Sequence, residues 1–352
     1  MYSETDIDGA VDAGALTADA AASFRRHVAA TRSTSIVDEE SFRLLTGFND
    51  IFVSIAAVLM LVAMGWIGNS IRIAAMEHGP SPALGFAIAG TAWALAEYFT
   101  RTRRMALPSI VLLLAFAGGL FVGFGALFVG HADSEMDRTA TLMLALAAGL
   151  TAGGVWLHWR RFHVPITVAA GAASLAGLAV LLVMTAAPAA RDQLSAMVLI
   201  TGFGVFGLAM WWDISDRTRT TRRSDVAFWL HLLAAPMLVH PIFKMLGLLD
   251  QGADPARAGI VILLYVGLGV IALAIDRRAL MVSALAYVLV ALSSLIEQTG
   301  VVNLAFGLTA LIIGSALLLL SAFWHSARAA LVTRLPATLA LKLPATDRLA
   351  AA

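Results

Sequence analysis

Ten apolar runs divide the chain, at about 51–69, 82–100, 107–130, 139–157, 164–187, 194–212, 226–249, 257–275, 279–296 and 303–323. Each is close to the ~20 residues an α-helix needs to cross the roughly 30 Å hydrocarbon core of a bilayer. The polar intervals carry a second pattern. Arg-Arg pairs stand at 103/104, 160/161, 222/223 and 277/278, 57, 62 and 55 residues apart, and two apolar runs fill every interval between them. Each pair therefore marks one return of the chain to the same side of the membrane. The predicted fold is all-α, a polytopic transmembrane bundle of ten helices built from parallel helix-hairpin repeats, because an even number of spans per repeat keeps successive copies pointing the same way. The first two pairs share an R-R-x-x-x-P pattern ending at Pro108 and Pro165. Proline is tolerated at a helix start, where the amide it lacks would be unpaired.

Charge orients these spans. Arg101, Arg103, Arg104, Arg160, Arg161, Arg217, Arg219, Arg222, Arg223, Arg277 and Arg278 fall in one set of loops, and Arg72, Arg138, Arg191 and Arg257 in the other. This positive-inside bias predicts that both termini are cytoplasmic. Tyr98, Phe99, Trp156, Trp159, Trp211, Trp212 and Trp324 sit at the helix ends that meet the basic loops, where amphipathic rings favour the interface, although some could pack between helices instead.

The chain divides into an N-terminal cytoplasmic or interfacial helical segment (1–49), a transmembrane domain (50–324) and a basic cytoplasmic tail (325–352). Before the first span, Leu16, Ala20, Phe24 and Val28 recur every four residues behind a capping Thr17, which predicts a short amphipathic helix, and Asp38 is placed to cap a second. The segment lacks the basic stretch, apolar core and small-residue cleavage site of a signal peptide, so the first span is expected to act as the insertion signal. The tail carries His325, Arg328, Arg334 and Lys342 around Pro336 and Pro344, and is expected to lie on anionic lipid or to be disordered.

Composition agrees with a membrane class: 60% of residues are hydrophobic, 13% are charged, and the mean hydropathy is +0.84. The bilayer is the first partner. The basic residues sit in short loops rather than on one face, so no nucleic-acid partner is expected. Cysteine is absent, which removes disulfides, thiolate metal sites and cysteine nucleophiles. There is no phosphate-binding loop, no G-x-S-x-G elbow and no H-E-x-x-H motif, so neither an enzyme, a cofactor nor a metal site is expected. His231 with Asp213 or Asp225 is too loose a signal for a catalytic group. Glycines at 119, 123, 149, 153, 202, 204 and 207 read as close-packing positions.

The seventh span holds the unusual chemistry: His231, Pro236, His240, Pro241 and Lys244. Polar side chains at membrane depth are costly and mark functional candidates. His240 and Lys244, four residues apart, share a helix face, whereas His231 lies on the other side. Glu297 and Asp250 are the acidic partners expected at the same end, with Gln298 and Asn303 nearby in sequence. The predicted substrate-binding set is His240, Lys244, Glu297 and Asn303; the competing reading has Lys244 snorkelling to the interface. Glu97 and Arg101 are placed for an i,i+4 salt bridge.

The segment Gly14-Ala15-Leu16-Thr17-Ala18-Asp19, followed by a small amphipathic helix and by paired small-residue spans joined through arginine-rich turns, resembles bacterial polytopic inner-membrane proteins of unknown function. The resemblance implies a helical bundle in the cytoplasmic membrane and brings no functional residues. Two functions are expected to compete. A small-solute transporter or permease would place a hydrated pocket between the seventh span and the ninth or tenth. A non-transporting scaffold or accessory subunit would have a dry interior and bind a protein partner through the N-terminal helices.

Overall fold

The structure is a computed structural model that describes residues 4–31, 48–71, 79–129, 138–217, 219, 221–247, 255–298, 304–340 and 343–344. All regular structure among them is helical. The chain forms two units, Met1–Phe42 and Arg43–Ala352.

The first unit contains α1 (Glu4–Asp12) and α2 (Ala18–Thr31), joined through Gly14 at φ +70°. Thr17 caps α2 as its sequence position predicts, its Oγ1 accepting from the Ala20 amide at 3.2 Å. Arg25 of α2 donates to Asp8 of α1 at 2.6 Å. The helix α1 was not anticipated. Asp38 lies outside the described residues.

The second unit begins with α3 (Phe48–Ser70) and α4 (Pro82–Ala96), which runs on into a π-helical turn, Glu97–Thr102. Ser81 starts α4: its Oγ accepts from the Ala83 amide at 3.2 Å and donates to the Ile71 carbonyl at 2.7 Å, and Pro82 occupies the first helical position. Then follow α5 (Ala106–Val129), α6 (Arg138–Phe162), α7 (Ile166–Ala186), a 3₁₀ turn (Pro188–Gln193) leading into α8 (Leu194–Ser215), α9 (Arg222–Met245), α10 (Pro255–Ile275), α11 (Ala279–Gln298), α12 (Ala305–Ala322), α13 (Trp324–Val332) and α14 (Ala337–Ala340). Among the described residues nine helices are long and apolar enough to cross a bilayer. The remaining expected span, 82–100, is α4, which reaches spanning length only with its π turn because the α-helical bonding ends at Ala96. The chain is a polytopic membrane protein.

The helices flanking the first three arginine-rich turns, α4 with α5, α6 with α7 and α8 with α9, are the most extensively packed partners, and α10 and α11 pack on each other less extensively, as α5 and α6 do. Each hairpin then touches the next through its second helix, α5 on α7, α7 on α9 and α9 on α11. Tandem parallel hairpins are thus visible in the packing. Every arginine-rich turn also contains one left-handed non-glycine residue: Arg104, His163 and Arg219 at φ 53° and Asp276 at φ 59°. Such a conformation costs roughly 1–2 kcal/mol, which the turn offsets by satisfying helix-end carbonyls. At Asp276 the Asp276 amide bonds Leu273 O at 3.3 Å and the Arg277 amide bonds Ala272 O at 2.9 Å, the double closure of a Schellman motif.

The tightest helix contact is between α4 and α5, where a Cβ on Gly85 would stand 2.2 Å from the Gly123 amide nitrogen and one on Gly119 would stand 2.7 Å from Gly85 O. By contrast Gly153, Gly204 and Gly207 have open space around them. The helix α9 is the most enclosed: 56% of its apolar window is buried, against at most 39% in the other spans. Leu230, Ala234, Ala235, Val239 and Phe243 fill its contacts with α7, α8, α10 and α11. It continues through Pro236 and Pro241. The aromatic residues at the basic ends divide. Tyr98, Trp156 and Trp211 are exposed, whereas Trp324 is buried in the core.

Candidate functional site

His240 and Lys244 lie towards the end of α9 opposite its arginine-rich turn. His240 Nδ1 is 2.6 Å from the Tyr287 hydroxyl of α11, and the Tyr287 ring stacks on Phe243 at 4.5 Å. Lys244 is exposed, and so is Glu297, which accepts from Ser293 Oγ at 3.4 Å. Among the described residues no ion pair joins Lys244 to Glu297. Asn303 and Asp250 lie outside the described residues, as does the Gln298 side chain. The structure brings His240 to a tyrosine, which was not foreseen.

A denser arrangement occupies the arginine-rich end of α8 and α9. Asp213, in the last turn of α8, accepts from His231 Nε2 of α9 at 2.8 Å and from Arg277, in the α10–α11 turn, at 2.5 Å (Nη2) and 3.3 Å (Nε). Arg277 also donates to the Ser224 carbonyl at 3.1 Å. The neighbouring Asp276 faces a different set. It accepts from Arg219 Nη1 at 2.9 Å and from the Trp324 indole at 2.7 Å, with Arg328 Nε at 3.8 Å. Arg219 Nη2 adds bonds to the carbonyls of Ile275 and Asp276 at 3.2 and 3.1 Å. Asp216 accepts from the amide and hydroxyl of Thr221 at 3.0 and 2.7 Å, closing the turn before α9.

All six ionic residues are buried: Asp213, Asp216 and Asp276 against Arg219, Arg277 and Arg328. Three carboxylates balance three guanidiniums. Isolated charges could not be held in this position, because the desolvation penalty is several kcal/mol per ion unless each is paired and hydrogen-bonded. Both oxygens of Asp213 and both of Asp276 are engaged, so neither carboxylate is left as a base. Among the described residues His231 Nδ1 has no hydrogen-bond partner, and its ring packs edge-on against Phe206 at 5.3 Å.

The cluster ties the tail to the bundle. Arg328 donates to Pro344 O at 2.6 Å, Arg217 donates to Leu343 O at 3.0 Å, and Trp324, Val332 and Leu343 join one apolar cluster with Ala272 and Leu280. The described part of the tail is therefore folded rather than disordered. Arg328 finds a carboxylate and a carbonyl partner within the protein, and Arg334 is exposed.

No family model, curated protein or solved structure matches the chain. Its own geometry carries the reading. Elsewhere at the arginine-rich turns, Glu97 accepts from Arg161 at 2.7 and 3.0 Å and from Arg101 at 3.3 Å, so the expected i,i+4 bridge exists beside a stronger bidentate partner. His158 of α6 is fully buried among Trp93, Phe116 and Phe162, with Thr167 Oγ1 at 3.5 Å from Nδ1. Among the described residues no group of three or more His, Asp or Glu side chains is placed to hold a metal ion.

His231 with Asp213, 18 residues apart in one hairpin, was weighed in sequence as too loose a signal, and Arg277 was missed because it lies 64 residues from Asp213 on the next hairpin. One signal was available. Glu97 and Arg161 show the same 64-residue separation.

Proposed function

We propose that the chain is a non-transporting scaffold or accessory subunit of the cytoplasmic membrane, with cytoplasmic termini and a protein partner bound through α1 and α2. The observation that carries this reading is the packing of α9. Its faces towards α8 and α11 are closed mainly by apolar side chains, the polar groups there are bonded within the protein, His231 to Asp213 and His240 to Tyr287, and Asp213 and Asp276 are each salt-bridged to arginine. A solute path would need polar groups open to water at that depth. The exposed Lys244 suits a snorkelling cation better than a pocket wall. A photo-crosslinking amino acid at the exposed Phe24, activated in native membranes, is expected to give a protein adduct of discrete mass. The same probe at Leu263, on the exposed face of α10, is expected to give none. Identical behaviour at both positions contradicts the reading.

The competing reading is a small-solute permease, with His240, Lys244, Glu297 and Asn303 lining its pocket. It is favoured by one feature, the His231–Asp213 pair inside two spanning helices. It requires water to reach the buried face of α9.

A further inference from the structure

A cavity of about 190 Å³ lies between α10, α11 and α12. Tyr265, Met281, Leu285 and Leu317 form walls that are almost wholly apolar, and Arg278 and Trp324 close its arginine-rich end. Val282, which also lines it, is 64% exposed, so the cavity opens onto the outer surface of the bundle. In a spanning protein that surface meets hydrocarbon, and an apolar cavity of this kind holds water poorly. An acyl chain is the occupant its walls fit.

The head of the groove is cationic and fixed in place. Arg277 turns inward to Asp213, while its neighbour Arg278 is half-buried at the cavity end with its guanidinium over the Trp324 ring, 4.9 Å from the centroid. The ring is itself held by the bond from its indole N–H to Asp276 at 2.7 Å. Within the wall the Tyr265 hydroxyl is buried and, among the described residues, has no hydrogen-bond partner. An apolar slot with a cation at its interfacial end matches one class of molecule.

We propose that this groove binds an anionic glycerophospholipid of the surrounding bilayer, one acyl chain between α11 and α12 and the phosphate at Arg278. Basic pockets between spanning helices are a recurrent mode of recognising anionic headgroups. The proposal stands apart from the scaffold reading, because a permease could carry the same site.

The test uses the full chain in nanodiscs of phosphatidylcholine containing phosphatidylglycerol, with retained lipid counted by native mass spectrometry. The wild type is expected to retain one phosphatidylglycerol in preference to phosphatidylcholine. Arg278→Gln should weaken that retention about fivefold, the worth of one basic contact at a membrane surface, and Val282→Trp, which fills the mouth from an exposed position, should weaken it as well. Arg103→Gln, at an exposed arginine of a different turn, should leave it unchanged. Phosphatidylglycerol carrying a diazirine on its acyl chain should label peptides of α11 and α12. Equal retention in wild type and Arg278→Gln, equal retention of the two lipids, a matching loss in Arg103→Gln, or labelling confined to other helices would each overturn the proposal.

Discussion

Asp213 receives the Arg277 guanidinium across 64 residues of sequence, the separation at which Glu97 receives Arg161. In both cases the acid stands at the end of the first helix of one hairpin, and the arginine stands at the turn of the next. The arginine pairs thus also bridge hairpins. They couple the first hairpin to the second and the third to the fourth. The two links differ in setting: the Asp213 and Arg277 side chains are each 2% exposed, whereas Glu97 and Arg161 are 33% and 42% exposed.

Removing one partner of the interior link leaves a buried charge uncompensated. Asp213→Asn and Arg277→Gln are each expected to cost about 3–5 kcal/mol, read as a lowered unfolding midpoint in detergent. The double substitution Asp213→Leu with Arg277→Met is expected to recover much of the loss, because an apolar pair of similar size avoids desolvation altogether. Glu97→Gln should cost far less, and its effect should shrink as salt is raised. Similar losses at both links would show that burial does not set their strength.

Gly85 and Gly90 sit in the same helix and separate packing from propensity. A Cβ at position 85 meets the α5 backbone, whereas one at 90 meets nothing within 4 Å. Gly85→Ala should destabilise by ~1–3 kcal/mol through forced separation of α4 and α5. Gly90→Ala should be neutral or stabilising by up to about 1 kcal/mol, the helix-propensity difference. Thermal unfolding of the two variants side by side checks this.

Trp324 and Asp276 anchor the tail, so its release can be followed by proteolysis. In the wild type, trypsin should cut after the exposed Arg334 and spare the buried Arg328. Asp276→Asn removes the charge held by Arg219 and Arg328 and should expose the bond after Arg328 to cleavage. Unchanged protection at Arg328 would separate the tail from the cluster.

The spans were legible because a bilayer demands about 20 apolar residues per crossing, and α3 to α12 fall where the apolar runs fall. The hairpin repeat was legible in the spacing of the arginine pairs. The interior cluster was legible only as a loose association of His231 with Asp213 or Asp225, because only the packing of α8 on α9 selects Asp213, and nothing in sequence brings Arg277 to it. Trp324 misled for a related reason: a tryptophan at a basic helix end fits the interface, yet Asp276 offers its indole a buried acceptor. The residues chosen for binding, His240 and Lys244, were chosen for rarity within a span, and rarity carries no information on partners.

The sidedness predicted from the arginine distribution is open to direct labelling, because the chain contains no cysteine. In intact cells Ala189→Cys, between α7 and α8, should react with an impermeant thiol reagent, and Arg160→Cys should react only after the membrane is opened. The reverse pattern would invert the topology.

The dryness of α9 is the claim on which the functional reading rests. Cysteines placed singly at Ala234 and Val239, both buried against neighbouring helices, and at the exposed Lys244 should be treated with a small hydrophilic thiol reagent in native membranes. The account predicts reaction at 244 alone; modification at 234 and 239 at comparable rates would reveal water along the helix and contradict it in favour of a permease.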